Sequence, residues 1–339
     1  MIGYYAHHHG SGHITRLQAI AAYLDEPVCG ISSLAAPEGW RQPWLRLARD
    51  DTPTPAAASA GGDVTAGGVL HWAPRHHAGL GTRMAQLSGW IGSERPRLLV
   101  VDVSVEVALL AVLCGVPTVV VAMPGSRVDR PHRLAYDSAD ALLAPWPEGA
   151  HSQRWPQAWR EKAWFLGGVS RFDGRAPVPR AGGARPRVLV LWGAGGRETG
   201  TADVAAAREA TPGWDWLERD PSLQASPDLW AELGSADVVV THAGQNAVAE
   251  VAAARRPAVV IAQPRPFAEQ EATAAAVERM GAAIGLSRWP DPGEWPSLLN
   301  RARALGGAGW ARWTTGSGAR EAAAQLEALA RPANAVEVA

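Results

Sequence analysis

The chain has 339 residues, a formal net charge of −1, 47% hydrophobic residues and 19% charged residues. This length indicates about two domains, and the composition is that of a globular protein with a hydrophobic core. The near-neutral charge gives no indication of a nucleic-acid partner, and the two cysteines form neither a disulfide framework nor a metal-ligand spacing. We therefore expect no nucleic-acid partner and a cytoplasmic protein.

The first half of the chain alternates between predicted strands and helices. Residues 1–6 predict a strand, a turn rich in histidine and glycine follows at 7–13, and apolar residues then recur at helical spacing. Residues 26–34 predict a second strand. Residues 35–68 are rich in proline, alanine and glycine without a clear period, which indicates a long loop.

The most apolar stretch, residues 98–123, is long enough to span a membrane. However, Asp102, Glu106, Gly115 and Pro117 interrupt it, so it predicts a strand, a helix and a second strand instead. We therefore expect at most peripheral contact with a membrane. Continuous apolar strands that alternate with helices are typical of a parallel sheet covered on both faces.

The alternation of predicted strands and helices stops in a segment rich in glycine and proline and then begins again. Strands are predicted near 187–192, 237–241 and 258–262, with helices between them and a last amphipathic helix at 318–330. The sequence therefore predicts an α/β protein with an N-terminal Rossmann-like domain (1–168), a linker (169–186) and a C-terminal Rossmann-like domain (187–339). In such parallel sheets, ligands bind outside the carboxyl ends of the strands.

The first candidate site follows the first predicted strand. Gly10, Ser11 and Gly12 form a turn before a helix, where backbone and ligand can approach closely. Thr15 stands where a dinucleotide fingerprint has its third glycine, so we expect no nicotinamide cofactor. His13 opens the helix, where its imidazole could accept a proton from an acceptor hydroxyl or form only a structural hydrogen bond.

Asp102 ends a buried predicted strand and is expected at the same edge of the sheet as His13. Its carboxylate could orient the imidazole or cap the helix that follows. His7, His8 and His9 lie nearby, but neither a carboxylate nor a thiol of this segment completes a ligand set. We therefore predict no metal site and no cofactor.

The second candidate site lies on successive strand-to-helix turns of the C-terminal half. Amides at a helix start can bind a diphosphate, a buried carboxylate can accept ribose hydroxyls, and a polar pair after a proline loop can bind sugar hydroxyls. The residues assigned to this donor site are Gly193, Ala194, Gly195, Gly196, His242, Ala243, Gly244, Gln245, Asn246, Glu250, Glu269 and Gln270.

Together these motifs resemble the GT-B-fold glycosyltransferases, in particular the lipid II-forming N-acetylglucosaminyltransferases and the natural-product glycosyltransferases. The donor motif is the run 241–250, followed by the proline loop 264–270 and an alanine-rich helix. The N-terminal Gly-x-Gly-His at residues 10–13 is similar to the acceptor half of these families. The loop 124–132, with Arg127 and His132, is either an acceptor contact or a solvated loop.

The resemblance implies an inverting, metal-independent glycosyltransferase with two Rossmann-like domains facing a cleft. His13 would deprotonate the acceptor and Asp102 would hold His13, while the donor would be a UDP- or dTDP-type sugar. The acceptor would be a small molecule or a lipid-linked compound. Because Arg16 completes a Gly-x-Gly-His-x-x-Arg pattern, the chain also resembles the nucleotide-sugar hydrolase of pseudaminic acid synthesis. A non-catalytic nucleotide-sugar-binding protein is the third interpretation.

Overall fold

The computed structural model describes residues 1–52, 63–151, 154–177, 185–193, 199–220 and 225–331. The N-terminal half forms one parallel sheet with helices against it. Its helices and strands are β1 (Ile2–Ala6), α1 (Gly12–Ala21), β2 (Val28–Ser32), β3 (Trp44–Arg46), α2 (Ala78–Glu94), β4 (Leu98–Asp102), α3 (Val105–Leu113), β5 (Thr118–Val121), α4 (Arg130–Ser138), β6 (Ala141–Ala144), α5 (Gln157–Glu161) and β7 (Ala163–Phe165).

The seven strands of this sheet lie in the order β3-β2-β1-β4-β5-β6-β7, and every neighbouring pair is parallel. The chain adds β2 and β3 on one side of β1, and it adds β5, β6 and β7 on the other side of β4. The boundary between β1 and β4 is therefore the switch point of the sheet. Ala6 pairs with Asp102 in the register of these two strands. The turns that follow them therefore open at the same edge, where parallel sheets bind ligands.

The C-terminal half repeats this plan on a smaller scale. Its elements are β8 (Arg187–Leu191), α6 (Thr201–Ala210), β9 (Asp215–Arg219), α7 (Leu229–Ser235), β10 (Val238–His242), α8 (Gln245–Ala253), β11 (Ala258–Ile261), α9 (Glu269–Arg279), β12 (Ile284–Leu286), α10 (Trp295–Leu305) and α11 (Gly318–Ala330). The strand order is β12-β11-β10-β8-β9, again parallel throughout. Here the switch point lies between β8 and β10, and the turn after β10 leads directly into α8.

The apolar run 98–123 is divided into β4, α3 and β5, as the sequence predicts. Ser104 begins α3 by accepting a hydrogen bond from the backbone of Val107 (3.2 Å), and Gly115, with φ of +72°, ends it. Within the described ranges, no helix is both long enough and apolar enough to cross a membrane.

The predicted loop 35–68 contains one element that the sequence analysis missed, the edge strand β3. Strand β3 has only three residues, too few for an alternating pattern to be recognised. Residues 53–62 of this loop and 178–184 of the predicted linker lie outside the described residues.

The last helix, α11, packs against the N-terminal half rather than the C-terminal one. Its buried Ala319, Ala322 and Leu326 belong to the same hydrophobic cluster as Leu17 of α1 and Leu98 of β4. Two polar contacts also hold it, because the backbone amides of residues 25 and 26 donate to the Glu327 carboxylate at 2.6 and 3.1 Å. The chain therefore crosses between the halves twice.

Candidate active site

The N-terminal side of the site is built around the buried carboxylate of Asp102. Because α1 follows β1 and Asp102 ends the adjacent β4, His13 meets this carboxylate across the switch point. His13 Nδ1 lies 2.8 Å from Asp102 Oδ1, and Asp102 has no solvent exposure. The next helix is capped by Ser104, so Asp102 is not the capping residue. The sequence-predicted pair is thus in hydrogen-bonding contact.

Two further side chains bind Asp102. Arg16 Nη1 lies 2.8 Å from both carboxylate oxygens, and the Tyr4 hydroxyl donates to Oδ2 at 3.1 Å. Burial alone would raise the pKa of Asp102, but the Arg16 guanidinium and His13 together hold it below its usual range. The carboxylate is therefore charged at neutral pH. Sequence reasoning missed Arg16 as a partner, although its position three residues after His13 places both on one helix face.

The charged carboxylate determines which imidazole nitrogen faces the cleft. An ionised carboxylate only accepts hydrogen bonds, so His13 Nδ1 must carry the donated proton. His13 Nε2 has no hydrogen-bond partner in the part of the chain that the structure describes, and His13 lines the cleft between the halves. Nε2 is thus the basic nitrogen, available to a group in the cleft.

The C-terminal side of the site centres on His242, at the end of β10. Burial, with a smaller contribution from Arg265, lowers the pKa of His242 to about 4, so this imidazole is neutral at pH 7. Its Nδ1 accepts a hydrogen bond from the Gly244 backbone at 3.1 Å, which leaves Nε2 as the N–H donor. A Cβ on Gly193 or on Gly244 would lie within 2.5 Å of the His242 ring. Both glycines are therefore required by the position of this histidine.

Gln270 connects the two turns beside His242. Its Oε1 accepts hydrogen bonds from the backbone amides of Ala243 (3.2 Å) and Gln263 (3.1 Å). The amide oxygen thus joins the turn after β10 to the turn after β11. Only the Nε2 group, 3.5 Å from His242 Nδ1, remains for other contacts. The predicted contact of Gln270 with sugar hydroxyls stays a prediction.

Glu250 lies on α8 and lines the cleft, as a ribose-binding carboxylate would. In the structure it forms an ion pair with Arg171, whose Nε lies 2.8 Å from Glu250 Oε1. Burial raises the pKa of Glu250, although Arg171 opposes this effect. Sequence reasoning did not find Arg171, because it belongs to the segment between the two halves and carries no motif.

The polar contacts that cross directly between the two halves include three made by side chains of the candidate site residues and Arg16. Arg16 Nη2 donates to Gln245 Oε1 at 2.6 Å, Asn246 Nδ2 donates to the backbone oxygen of Gly12 at 2.9 Å, and Arg127 pairs with Glu269 at 2.9 Å. The side chains of Gln245 and Asn246, which the sequence assigns to the donor site, thus contact the acceptor side. Arg16 connects the two halves, because it binds Asp102 of the N-terminal half and Gln245 of the C-terminal half at once.

In the loop 124–132, Arg127 and His132 take part in the contact between the two halves rather than in the cleft surface. Both side chains are buried, and His132 Nδ1 lies 2.5 Å from Asp129 Oδ1. The Arg127 guanidinium also stacks 4.3 Å from the ring centre of Phe267 in the opposite half. Within the described residues, neither Arg127 nor His132 lines the cleft. Their predicted contact with an acceptor stays a prediction.

The cleft between the halves has a volume of about 970 Å³. It is lined by the predicted acceptor turn and by most of the predicted donor residues. Those lining residues are Gly10, Ser11, Gly12, His13, Gly193, His242, Ala243, Gly244, Gln245, Asn246, Glu250, Glu269 and Gln270. Ala194, Gly195 and Gly196 lie outside the described residues. A volume of this size suits a ligand larger than a monosaccharide.

Comparison with known proteins connects this geometry to glycosyl transfer. Residues 224–289 match the glycosyltransferase family 28 C-terminal domain. The UDP-N-acetylglucosamine--N-acetylmuramyl-(pentapeptide) pyrophosphoryl-undecaprenol N-acetylglucosamine transferase of Sorangium cellulosum (strain So ce56) is 30% identical over 262 residues. This alignment covers 67% of the chain and 58% of the relative, so the chain spans little more than half of that protein's length.

Solved structures show the same architecture over nearly the whole chain. MurG of Acinetobacter baumannii has a TM-score of 0.62 at 14% identity, covering 96% of this chain and 99% of that one. The spinosyn rhamnosyltransferase SpnG, complexed with thymidine diphosphate, has a TM-score of 0.65 at 16% identity, covering 98% and 100%. The predicted fold class is therefore confirmed: this chain has the GT-B fold, and residues 224–289 of its C-terminal half are similar to the glycosyltransferase family 28 C-terminal domain.

Proposed function

We propose that the chain is an inverting glycosyltransferase that moves a sugar from a nucleoside-diphosphate donor to an acceptor hydroxyl. One observation carries the proposal. The basic Nε2 of His13, oriented by Asp102 at 2.8 Å, faces the same cleft of about 970 Å³ as the start of α8 and His242. A base on one wall and an anion-binding helix start on the other are what a displacement at an anomeric carbon requires.

In the proposed step, His13 Nε2 removes the proton of the acceptor hydroxyl as its oxygen attacks the anomeric carbon. The new C–O bond forms on the face opposite the departing phosphate oxygen, so the anomeric configuration inverts. Asp102 stays ionised throughout and stabilises the imidazolium that forms, as a triad carboxylate does. Arg16 and Tyr4 hold Asp102 in place through the hydrogen bonds described above.

The departing nucleoside diphosphate takes the electron pair of the broken bond and gains negative charge. The free amides at the start of α8 and the Nε2–H of His242 are placed on the wall where that charge would develop. Preorganised donors of this kind are often the largest contribution to catalysis. A helix start and a neutral imidazole perform this role without a metal ion on the diphosphate, so we expect equal rates with and without added Mg²⁺ or Mn²⁺.

The names of the relatives suggest the first substrates to test. The Sorangium cellulosum relative is named for a UDP-sugar donor and a lipid-linked acceptor, and SpnG was solved with thymidine diphosphate. We therefore propose UDP- and dTDP-sugars as donors and a small-molecule or lipid-linked hydroxyl compound as acceptor. A thermal-shift screen of these nucleotides should identify the donor, because a ligand that binds only the folded state raises Tm.

The decisive experiment follows transfer from the donor so identified to a panel of acceptors. NMR of the product should show an anomeric configuration opposite to that of the donor. Retained configuration would contradict the single-displacement mechanism. A donor that binds without any turnover, with or without acceptors, would favour a non-catalytic nucleotide-sugar-binding protein.

Arg16 favours one alternative, the hydrolysis of a nucleotide sugar with water as acceptor. Its Nη1 contacts both carboxylate oxygens of Asp102, which places the residue that defines the hydrolase-like pattern at the centre of the site. Turnover in ¹⁸O-labelled water separates the two functions. Label in the anomeric hydroxyl of a free sugar, with no acceptor product, would establish hydrolysis.

A further inference from the structure

A second cavity, of about 280 Å³, lies in the N-terminal half beside the cleft. His9 lines both cavities, so the two adjoin. The walls of the smaller cavity combine His8 and His9, which follow β1, with Asp50 and Asp51, which follow β3. The proposed transfer mechanism uses none of these four residues.

Three ligand atoms in this cluster face one another at the separations of a metal site. His8 Nε2 lies 3.3 Å from Asp51 Oδ2, and His9 Nε2 lies 3.1 Å from the same oxygen. In a tetrahedral site with metal–ligand bonds of about 2.0–2.2 Å, neighbouring ligand atoms are about 3.3–3.6 Å apart. The three ligand atoms all lie within 4.8 Å of one another, so one metal ion could contact all three.

His8 provides independent support, because its ring is buried without a hydrogen bond. The residue is 6% exposed, and neither of its ring nitrogens has a hydrogen-bond partner within the described residues. A buried imidazole without a hydrogen bond is costly, which is why such groups usually have a partner.

The charges around the cluster leave Asp51 able to bind a cation. Asp50 is paired with the buried Arg83, which neutralises it. Asp51 accepts hydrogen bonds from Arg49, whose Nε lies 2.9 Å from Oδ1 and whose Nη2 lies 2.6 Å from Oδ2. The Arg49 side chain is about half exposed, so its guanidinium can turn into solvent or keep Oδ1 alone while Oδ2 binds a metal.

We propose that His8 Nε2, His9 Nε2 and Asp51 Oδ2 bind one Zn²⁺ ion in the N-terminal half. Two imidazoles and a carboxylate are ligands that suit zinc, and three protein ligands leave a fourth position open. All three residues line the smaller cavity, so this position is available to water or to an oxygen of a molecule that enters the cavity. The site is independent of the proposed transfer reaction, since it contains none of its residues.

This proposal departs from the sequence-based expectation of no metal site. The sequence shows His8 and His9 without a carboxylate nearby, because Asp51 is 42 residues further along the chain than His9. Strand β3 pairs with β2, which pairs with β1, so the segments that follow β1 and β3 leave the same edge of the sheet. The fold alone brings the third ligand into place.

The test measures metal binding by the full-length protein, freed of any histidine tag and of metal by a chelator. Titration with Zn²⁺ should show one tight site per chain, and Co²⁺ should give the visible absorption of a four-coordinate ion. His9→Asn and Asp51→Asn should each weaken Zn²⁺ binding at least about 10-fold, since even residues that only support a ligand cost this much. Both side chains are partly exposed, so these variants are expected to fold even if His8→Asn does not.

His76→Asn is the matched control, because His76 is an exposed histidine of the same half outside the cluster. It should bind Zn²⁺ as the parent protein does. A second cluster, formed by His71, Asp129 and His132, offers the same ligand types. The proposal is overturned if no tight Zn²⁺ site is found, if His9→Asn and Asp51→Asn bind normally, or if His71→Asn abolishes binding instead.

Discussion

At the scale of single residues, Asp102 accepts hydrogen bonds from three side chains at once. His13, Arg16 and Tyr4 all donate to it, so a change at any of them alters the others. The pair His13–Asp102 could be predicted from the sequence, because both residues end or follow apolar strands whose carboxyl ends meet. The contact between Arg16 and Gln245 could not, since it depends on how the two halves face each other.

The first prediction concerns His13. His13→Ala should slow transfer by about 10²–10⁴-fold, because it removes the proposed general base. Donor affinity should stay close to that of the parent protein, since the groups proposed to bind the diphosphate, the amides at the start of α8 and His242, all belong to the C-terminal half. Steady-state kinetics with saturating donor, together with calorimetric titration of the nucleotide, measure both quantities.

Asp102→Asn provides the companion variant. It should slow transfer by a similar or smaller factor and also lower Tm, because Arg16 then loses its buried counter-charge. In the double variant, the free-energy costs of the two changes should not be additive, because His13 and Asp102 act as one unit. A double variant much slower than either single one would contradict the proposed dyad, and a fully active His13→Ala enzyme would remove His13 from the mechanism.

The second prediction separates two roles of Glu250. If its carboxylate binds the donor ribose, Glu250→Gln should weaken nucleoside-diphosphate binding by about 1–3 kcal/mol, the value of a charge-assisted hydrogen bond. Arg171→Met is the matched control, because it breaks the same ion pair but keeps the carboxylate. Equal affinities of Glu250→Gln and the parent protein in calorimetric titration would reduce Glu250 to a structural partner of Arg171.

At the scale of elements, the start of α8 depends on close packing between two turns. The His242 ring lies against Gly193 and Gly244, with Gln270 joining the neighbouring turn through two backbone amides. The order of motifs along the chain predicts that these turns share one edge. It does not predict that Gln270 Oε1 is already used, because the sequence carries no information on which backbone amides need a partner.

The third prediction is that Gly244→Ala displaces the His242 ring, since the new Cβ would lie 2.3 Å from its Cε1 atom. Overpacking of this kind costs about 1–3 kcal/mol, and we expect a lower Tm together with weaker nucleoside-diphosphate binding. Gly213→Ala is the control, because no atom lies within 4 Å of its Cβ position. The effect of Gly244→Ala should shrink in a His242→Ala background; an undiminished effect would place the strain elsewhere.

Two of the strands that escaped prediction are too short to carry a sequence pattern. Strands β3 and β7 have three residues each, too few for an alternating pattern to be recognised. Strands in the middle of each sheet are buried on both faces and read as continuous apolar runs, which is why β4, β5, β10 and β11 were predicted near their observed positions. Edge strands are only partly buried, so their composition does not distinguish them from loops.

At the scale of the whole molecule, the two halves are joined by their linker, by α11 and by direct polar contacts such as that between Arg16 and Gln245. The predicted boundary at residues 169–186 remains a prediction, but α11 belongs to the N-terminal core by its packing. Amphipathic periodicity predicted this helix without indicating which half it covers. An apolar helix face in the sequence indicates that the face is buried. It does not indicate which part of the protein covers it.

The fourth prediction tests that packing. Leu326→Ala should lower the free energy of unfolding by about 2–5 kcal/mol, because Leu326 is fully buried against the N-terminal half. Leu305→Ala, at a 45% exposed position on α10, should change it by less than about 0.5 kcal/mol. Hydrogen exchange of the Leu326 variant should rise in β1 and β4; a rise confined to β8–β12 would contradict the assignment.

The return of the chain through α11 also determines how this protein can be recombined with others. The N-terminal half is discontinuous in sequence, since it consists of the segment that contains β1–β7 and the helix α11, with the C-terminal sheet between them. A chimaera that exchanges donor halves must therefore be spliced at two places, once in the linker and once between Thr315 and Gly318. A single crossover would join α11 of one parent to α1 and β4 of another, and the mismatch would fall in the hydrophobic core of the N-terminal half.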